Sequence, residues 1–267
     1  MRTVAILPVK RFSHAKQRLS ASIPPPLHAE LVRAMVADVL HALARTPAIA
    51  RTILVTNEPA LAAIAAHHHA LLLPDTAEQG QSAAAAIGLA RALAEGFQRA
   101  LCVPGDCPAL EPLELAGLLS KTTPRARARA RARAPRFEHI SPPEGAHPQE
   151  EVHTPENTHP PENTHPPEVV IVPDRHGQGT NALLLSPPDA IAPAFGPDSR
   201  ERHERLAREA GLCPRLEHLP SLLLDIDTGE DLAALRERLA GERAGASRTR
   251  ALLGLSSKPC LASPPAA

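Results

Sequence analysis

Short apolar runs and longer helical patterns alternate along most of the chain. "TVAILPV" (3–9), "RTILVT" (51–56), "ALLLP" (70–74), "ALCVPGD" (100–106), "VVIVPD" (169–174), "NALLLS" (181–186) and "SLLLDID" (221–227) are brief and nearly continuous in hydrophobicity, the pattern of strands buried on both faces. Leu27, Leu31, Met35, Val39 and Leu43 recur at helical spacing behind a proline run at 24–26, which places a helix there. The Ala-rich stretches 81–95 and 110–120 predict helices by propensity. A further helix is expected over 199–210, capped by Ser199, and another in "TGEDLAALRERL" after the last strand. Strand and helix in turn imply an α/β fold: one domain with a mostly parallel sheet and helices on both faces.

Residues 122–168 break this rhythm. "RARARARAR" (125–133) runs into text rich in proline, histidine and glutamate, with the repeat "HTPENT", "HPPENT", "HPPE" from His153 to Glu168. Such text has little apolar surface to offset the entropy of ordering, so a disordered insertion is expected at 122–168 and a flexible tail at 242–267, leaving 1–121 and 169–241 as the domain. The arginine run reads as a solvated low-complexity expansion rather than a nucleic-acid contact. His153, His159 and His165 lie too far apart in such a segment to organise a metal site.

Composition narrows the function classes. The 267 residues carry a formal net charge of zero and only four aromatic residues, all Phe, which disfavours polyanion binding and base-stacking platforms. The four cysteines form no CxxC pair, against a zinc knuckle or disulfide scaffold. The apolar run at the start is too short for a signal peptide, and no stretch approaches the roughly 18 apolar residues of a membrane span. A soluble, cytoplasmic protein without nucleic-acid or membrane partners is expected.

In an open parallel sheet, ligands bind beyond the carboxyl ends of the strands, so the residues after each apolar run are the informative ones. Lys10, Lys16 and Arg18 follow the first strand, Asp106 the fourth and "PDRHGQGTN" the fifth; Asp225 and Asp227 end the last. In an extended segment these two aspartates point the same way and repel unless a cation lies between them. Three carboxylates with three cations at one rim suit a polyphosphate bound with Mg²⁺. Gly80, Gly177 and Gly179 would let backbone amides approach such a ligand. Taken singly, each residue has an ordinary reading: Lys16 or Arg18 a surface charge, Asp227 a helix cap. The chain has no GxxxxGK[ST], no GxGxxG after the first strand and no GxSxG, which argues against P-loop, dinucleotide-binding and serine-hydrolase readings.

"ILPVK....AKQRL", "VPGDCPAL", "VVIVPDRHGQGTNALLL", "FGPDSRERH" and "LDIDTGEDL", in this order, resemble the CofC or FbiD phospho-acid guanylyltransferases of coenzyme F420 biosynthesis over nearly all of 3–121 and 169–240. The resemblance implies a GT-A-like nucleotidyltransferase fold and the transfer of GMP from GTP to a three-carbon phospho-acid, with release of pyrophosphate. It places metal carboxylates at Asp106, Asp225 and Asp227, and acid-binding positions at Thr180, Gly196 and Ser199 with Asn181 adjacent. Pro8, Lys10, Lys16 and Arg18 match the triphosphate-binding start, and Gly80, Gln81 and Ser82 the guanine loop. Partners are then GTP and the phospho-acid, with Mg²⁺ as cofactor and a homodimer as a permitted assembly.

Two departures stand out. "GQSAA" puts Gln81 and Ser82 where the family usually has Leu and Asn, and "PGDCP" puts Cys107 where leucine is commoner. Cys107 beside Asp106, with His176 as a hydrogen-bonding partner, favours 3-phospho-D-glycerate as the acid, with 2-phospho-L-lactate and phosphoenolpyruvate as the other choices. A phosphate monoester is largely dianionic at pH 7, so the acceptor needs no general base. Two other readings stay open: a transferase of the same fold acting on molybdopterin or a sugar phosphate, though "LPVKRF" lacks a GGxS loop, and a nucleotide-binding module without turnover.

Overall fold

The computed structural model describes residues 1–12, 19, 23–76, 78–121, 166–241 and 245–255. Its centre is strand β1 (Thr3–Pro8), buried along its whole length. Around it stand β2 (Ile49–Val55), β3 (Leu71–Leu73), β4 (Arg99–Cys102), β5 (Glu168–Pro173), β6 (Thr180–Ser186) and β7 (Arg215–Leu216), in the sheet order β3-β2-β1-β4-β6-β5-β7. β1 pairs in parallel with β2 and β4, β2 with β3, and β5 with β7; β6 alone runs antiparallel to its neighbours β4 and β5. The sheet is therefore mostly parallel, as the alternating pattern implies.

Among the described residues the α-helices are α1 (Pro25–Ala44), α2 (Ala62–His67), α3 (Gln81–Ala94), α4 (Pro112–Ser120), α5 (Ser199–Glu209), α6 (Gly229–Gly241) and α7 (Ser247–Leu252). Successive strand residues divide between the two sheet faces. Ala5, Leu7, Leu54 and Leu101 pack with Met35, Val39 and Leu43 of α1, Leu115 of α4 and Leu235 of α6. Val4, Ile6, Ile53 and Val55 pack with Ala85 and Leu89 of α3 and Ala207 of α5. Each large aliphatic buried this way contributes about 1.5–3 kcal/mol, which is why the strands read as unbroken apolar runs rather than alternating ones.

Three expectations are corrected. "SLLLDID" is not a strand: Pro220–Leu222 form a 3₁₀ turn, and the edge beside β5 is occupied by β7. Its leucines are apolar because Leu222, Leu224 and Ile226 insert into the core on the α1 face. Ser199 does not cap α5; the cap position is Asp198, at φ 54°, and no side-chain cap bond is made. The stretch 245–255, expected within a tail, carries α7, whose Arg248 and Thr249 amides donate to the Asp38 carboxylate of α1 at 3.0 and 2.8 Å. Of the expected insertion, 122–165 lies outside the described residues, and β5 begins at its last residue, Glu168.

The approach of α3 to β1 depends on a missing side chain. A Cβ on Gly88 would lie 2.4 Å from Cγ2 of the buried Ile6, whereas one on Gly117 of α4 would meet nothing within 4 Å. Replacing glycine by alanine within a helix gains about 1 kcal/mol of propensity, while overpacking a core costs about 1–3 kcal/mol. Gly88→Ala should thus lower, and Gly117→Ala raise, the midpoint of urea unfolding. A Gly88→Ala protein as stable as Gly117→Ala would contradict this packing.

Candidate active site

A cavity of about 300 Å³ opens at the carboxyl ends of β1 and β4, lined by Pro8, Lys10, Gly80, Gln81, Asp106, Thr180, Asn181, Asp225 and Asp227 among others. Its acidic wall is built by one backbone bond. The amide of Ile226 donates to the carbonyl of Asp106 at 3.2 Å, which brings 225–227 alongside the turn after β4. Ile226 is fully buried, so Asp225 and Asp227 on either side of it turn to the cavity. The i, i+2 reading of the two carboxylates thus holds although the segment is not a strand. Asn181 of β6 fixes it further, its Nδ2 donating to the Leu222 carbonyl at 2.7 Å and to Asp225 Oδ1 at 3.3 Å.

This wall is electrostatically costly. Burial pushes the Asp225 carboxyl up to about 6, and the nearby Asp106 and Asp227 carboxylates push in the same direction against the Asn181 hydrogen bond. A site of this kind favours a cation. Among the described residues, no group of three His, Cys, Asp or Glu side chains is placed to hold a metal ion by itself. That suits Mg²⁺, which keeps several waters and is usually held by one or two carboxylates together with substrate phosphates. The donors are all oxygens, the set a hard ion takes, so one or two of Asp106, Asp225 and Asp227, together with substrate phosphates, fit it and would hold it.

The same cavity is also lined by a cation and by the start of a helix. Lys10 follows β1, where the Val9 amide still bonds the Val55 carbonyl at 2.9 Å. Gly80 precedes α3 at φ 99°, a region that favours glycine. The first-turn amides of α3 have no partner within the helix, and with the helix dipole they suit an anion, as does Lys10 in the same cavity.

The remaining predicted residues divide. Lys16 and Arg18 lie outside the described residues. Ser82 does not line the cavity; its hydroxyl lies 3.5 Å from the Phe195 carbonyl. His176 is exposed and away from the cavity, its Nε2 accepting from Arg175 Nε at 3.0 Å, while the Arg175 guanidinium pairs with Asp231. Asp231 also accepts from the Thr228 amide, so Thr228 and Asp231, not Asp227, close the start of α6. Cys107 is fully buried in the core, with Sγ 3.9 Å from Asp106 Oδ1, and does not reach the cavity.

Gly196 and Ser199 do not line the cavity either, but they are tied to Thr180, which does, through a residue the sequence reading left unassigned. His203 of α5 is fully buried; its Nε2 accepts from the Ala194 amide at 2.8 Å and its Nδ1 lies 3.0 Å from Thr180 Oγ1. Because Nε2 accepts, the proton of the neutral ring is on Nδ1 and is donated to Thr180. The Thr180 hydroxyl then keeps its own proton to donate. Arg202 beside it holds the Ala194 and Phe195 carbonyls, and Ser199 donates its amide to Gly196. The "FGPDSRERH" stretch is thereby latched against β6.

Burial, with Arg202 adding to it, pushes His203 down to about 4. The unfolded chain takes up this proton near pH 6.5 and the folded one does not. Stability is therefore full above pH 6.5 and falls as pH drops toward 4, by about 3 kcal/mol in all. His203→Gln removes this titration, so its Tm should fall less between pH 7 and pH 4.5 than that of the parent protein. His68, also pushed down to about 4 by burial first and Arg248 next, contributes equally to both. Equal falls in Tm would contradict the neutral, latched ring.

Comparison with known proteins follows this geometry. The family model described as "Guanylyl transferase CofC like" matches residues 3–126. A protein of Conexibacter woesei named phosphoenolpyruvate guanylyltransferase is 41% identical over 95% of this chain and 96% of its own, and one of Sphaerobacter thermophilus with the same name is 32% identical over 90% and 94%. Among solved structures, a protein of the nucleotide-diphospho-sugar transferase type from Desulfovibrio desulfuricans G20 matches with a TM-score of 0.64 at 16% identity, covering 95% of each chain. That last likeness concerns the fold alone. With a relative of this identity matched along almost its whole length, the chain belongs to the CofC-like guanylyl transferase family, enzymes of the nucleotidyltransferase class.

Proposed function

We propose that the protein transfers GMP from GTP to phosphoenolpyruvate, releasing pyrophosphate, as a cytoplasmic step of coenzyme F420 biosynthesis. The observation that carries this reading is that Asp106, Asp225 and Asp227 line one cavity together with Lys10 and the first turn of α3. Carboxylates together with a cation and helix amides suit a metal-bound triphosphate. The described residues lining the cavity include no His, Cys or Ser that could serve as a nucleophile or base. The chemistry then belongs to the substrates.

The acceptor's phosphate, largely dianionic at pH 7, attacks the α-phosphorus of GTP. A bond forms from its oxygen to that phosphorus, the bond to the bridging oxygen of the β-phosphate breaks, and pyrophosphate leaves. Lys10 and the α3 amides hold the phosphates in line and offset their charge. Carboxylates among Asp106, Asp225 and Asp227 would hold Mg²⁺ with the substrate phosphates, and that ion would supply further charge neutralisation there. Thr180, oriented by His203, donates its hydroxyl toward the acid, while Asn181 keeps Asp225 in place.

Phosphoenolpyruvate is preferred over 3-phospho-D-glycerate for two reasons. The two relatives described above carry its name. The argument for 3-phospho-D-glycerate required Cys107 and His176 in the acid pocket, and neither side chain lines the cavity. The test is pyrophosphate release from GTP and Mg²⁺ with each of the three acids in turn. Release with phosphoenolpyruvate at least tenfold faster in kcat/KM than with the other two is expected. No turnover with phosphoenolpyruvate beside brisk use of another acid would overturn the assignment of the acceptor, and none with any acid the transfer itself.

A further inference from the structure

A second cavity, of about 180 Å³, adjoins the first and shares Val9, Lys10, Asp75 and Gly80 with it. Asn57, Arg11 and Glu78 complete its wall. The cavity is braced from below. Asn57 Oδ1 accepts the Asp75 amide at 3.0 Å, while its Nδ2 donates to the Asp75 carbonyl at 2.7 Å and to Glu78 Oε1 at 2.6 Å. Arg11 Nε meets the same Glu78 oxygen at 3.0 Å. These contacts fix the loop after β3 so that the Asp75 side chain borders both cavities.

Asp75 is only 6% exposed, which is unusual for a carboxylate with no cation paired to it among the described residues. Its Oδ1 accepts the Glu78 amide at 3.0 Å, and its Oδ2 has no hydrogen-bond partner among the described residues. A largely buried carboxylate whose second oxygen is left for a cavity suits a donor from a ligand. Cavity and acceptor together suit a small group that offers N–H donors and is reached past Lys10 and Gly80, which line both cavities.

On the guanylyl-transfer reading above, we infer that this second cavity is the base pocket and that Asp75 reads guanine through its N1–H and 2-amino group. Guanine presents those two donors side by side, and one carboxylate can accept both. Adenine would set its N1 acceptor against the carboxylate. Xanthine would set its 2-carbonyl oxygen there. Either leaves a buried acceptor facing another, the kind of mismatch that gives strong discrimination. Val9 supplies an apolar surface for the ring, and Gly80, which borders both cavities, leaves the passage between base and phosphates open. The base contact thus moves from Gln81 and Ser82 to the loop before them.

The test is direct binding of GTP, XTP and ATP with Mg²⁺ by calorimetry, without any acid present. The wild-type protein is expected to bind GTP more tightly than XTP or ATP. Asp75→Asn keeps an oxygen for the Glu78 amide but turns an amide N–H toward the cavity, to match the xanthine 2-carbonyl. It should lose about tenfold or more in GTP affinity and gain about tenfold in XTP affinity, a reversal of roughly 100-fold in their ratio. Asp75→Ser, whose hydroxyl can also accept from Glu78, is the second variant should Asn not fold; it should lose GTP affinity and flatten the ranking. Wild-type protein that shows no preference for GTP would overturn both the guanylyl-transfer reading and this one. A preference for GTP that persists unchanged in the variants would overturn the role of Asp75 alone.

Discussion

The bond from the Ile226 amide to the Asp106 carbonyl decides where charge collects in this molecule. It joins a turn following β4 to a segment more than 100 residues further along the sequence. With Ile226 buried, its two aspartate neighbours both line the cavity. Leu222 and Leu224 anchor the same segment in the core from the other side. The cost of gathering three carboxylates is therefore carried by apolar packing, and Asp225, the most hindered of them, is where that cost is concentrated.

The rest of the site divides along the sheet. The parallel strands β1 to β4 supply Lys10, Asp75, Gly80 and Asp106 from the loops at their carboxyl ends. β6, the one reversed strand, begins where its neighbours end, so Thr180 and Asn181 at its start reach the same edge. The proposed nucleotide side is thus built on parallel strands, and the proposed acid side on the reversed strand with α5 behind it. His203 connects the two parts of the acid side, holding Thr180 from one ring nitrogen and the 194–199 turn from the other. Only a neutral imidazole can donate and accept in this way.

Much of this was legible in the sequence because apolar runs buried on both faces leave a clear pattern. The first six strands, the helices α1, α3 and α4, and the aspartates 106, 225 and 227 follow from it. "SLLLDID" misled because insertion into the core and pairing in a sheet demand the same residues; only the ladder partner differs, and no local pattern encodes that. Cys107 was credited with a pocket because it adjoins Asp106 in sequence, yet neighbours along an extended turn point apart. Asp75 ends "ALLLPD" in the manner of the other site residues, and His203 closes "FGPDSRERH". Each had a positional signal, but its role rests on burial and on partners distant in sequence. Helix α7 was hidden by its setting in text that resembles a tail.

The central claim is that function here is held against stability at Asp225. Its raised carboxyl means that the ionised form is disfavoured in the folded protein; the resulting penalty is complete above about pH 6 and absent below the ordinary aspartate range. Asp225→Asn removes the charge and retains an oxygen for Asn181. Thermal unfolding of the two proteins at pH 7.5 without divalent cation, paired with their rates of pyrophosphate release with Mg²⁺, is the most direct measurement. The account predicts a higher Tm for Asp225→Asn together with a loss of about 100-fold or more in kcat. A lower Tm, or activity near that of the parent protein, would contradict it.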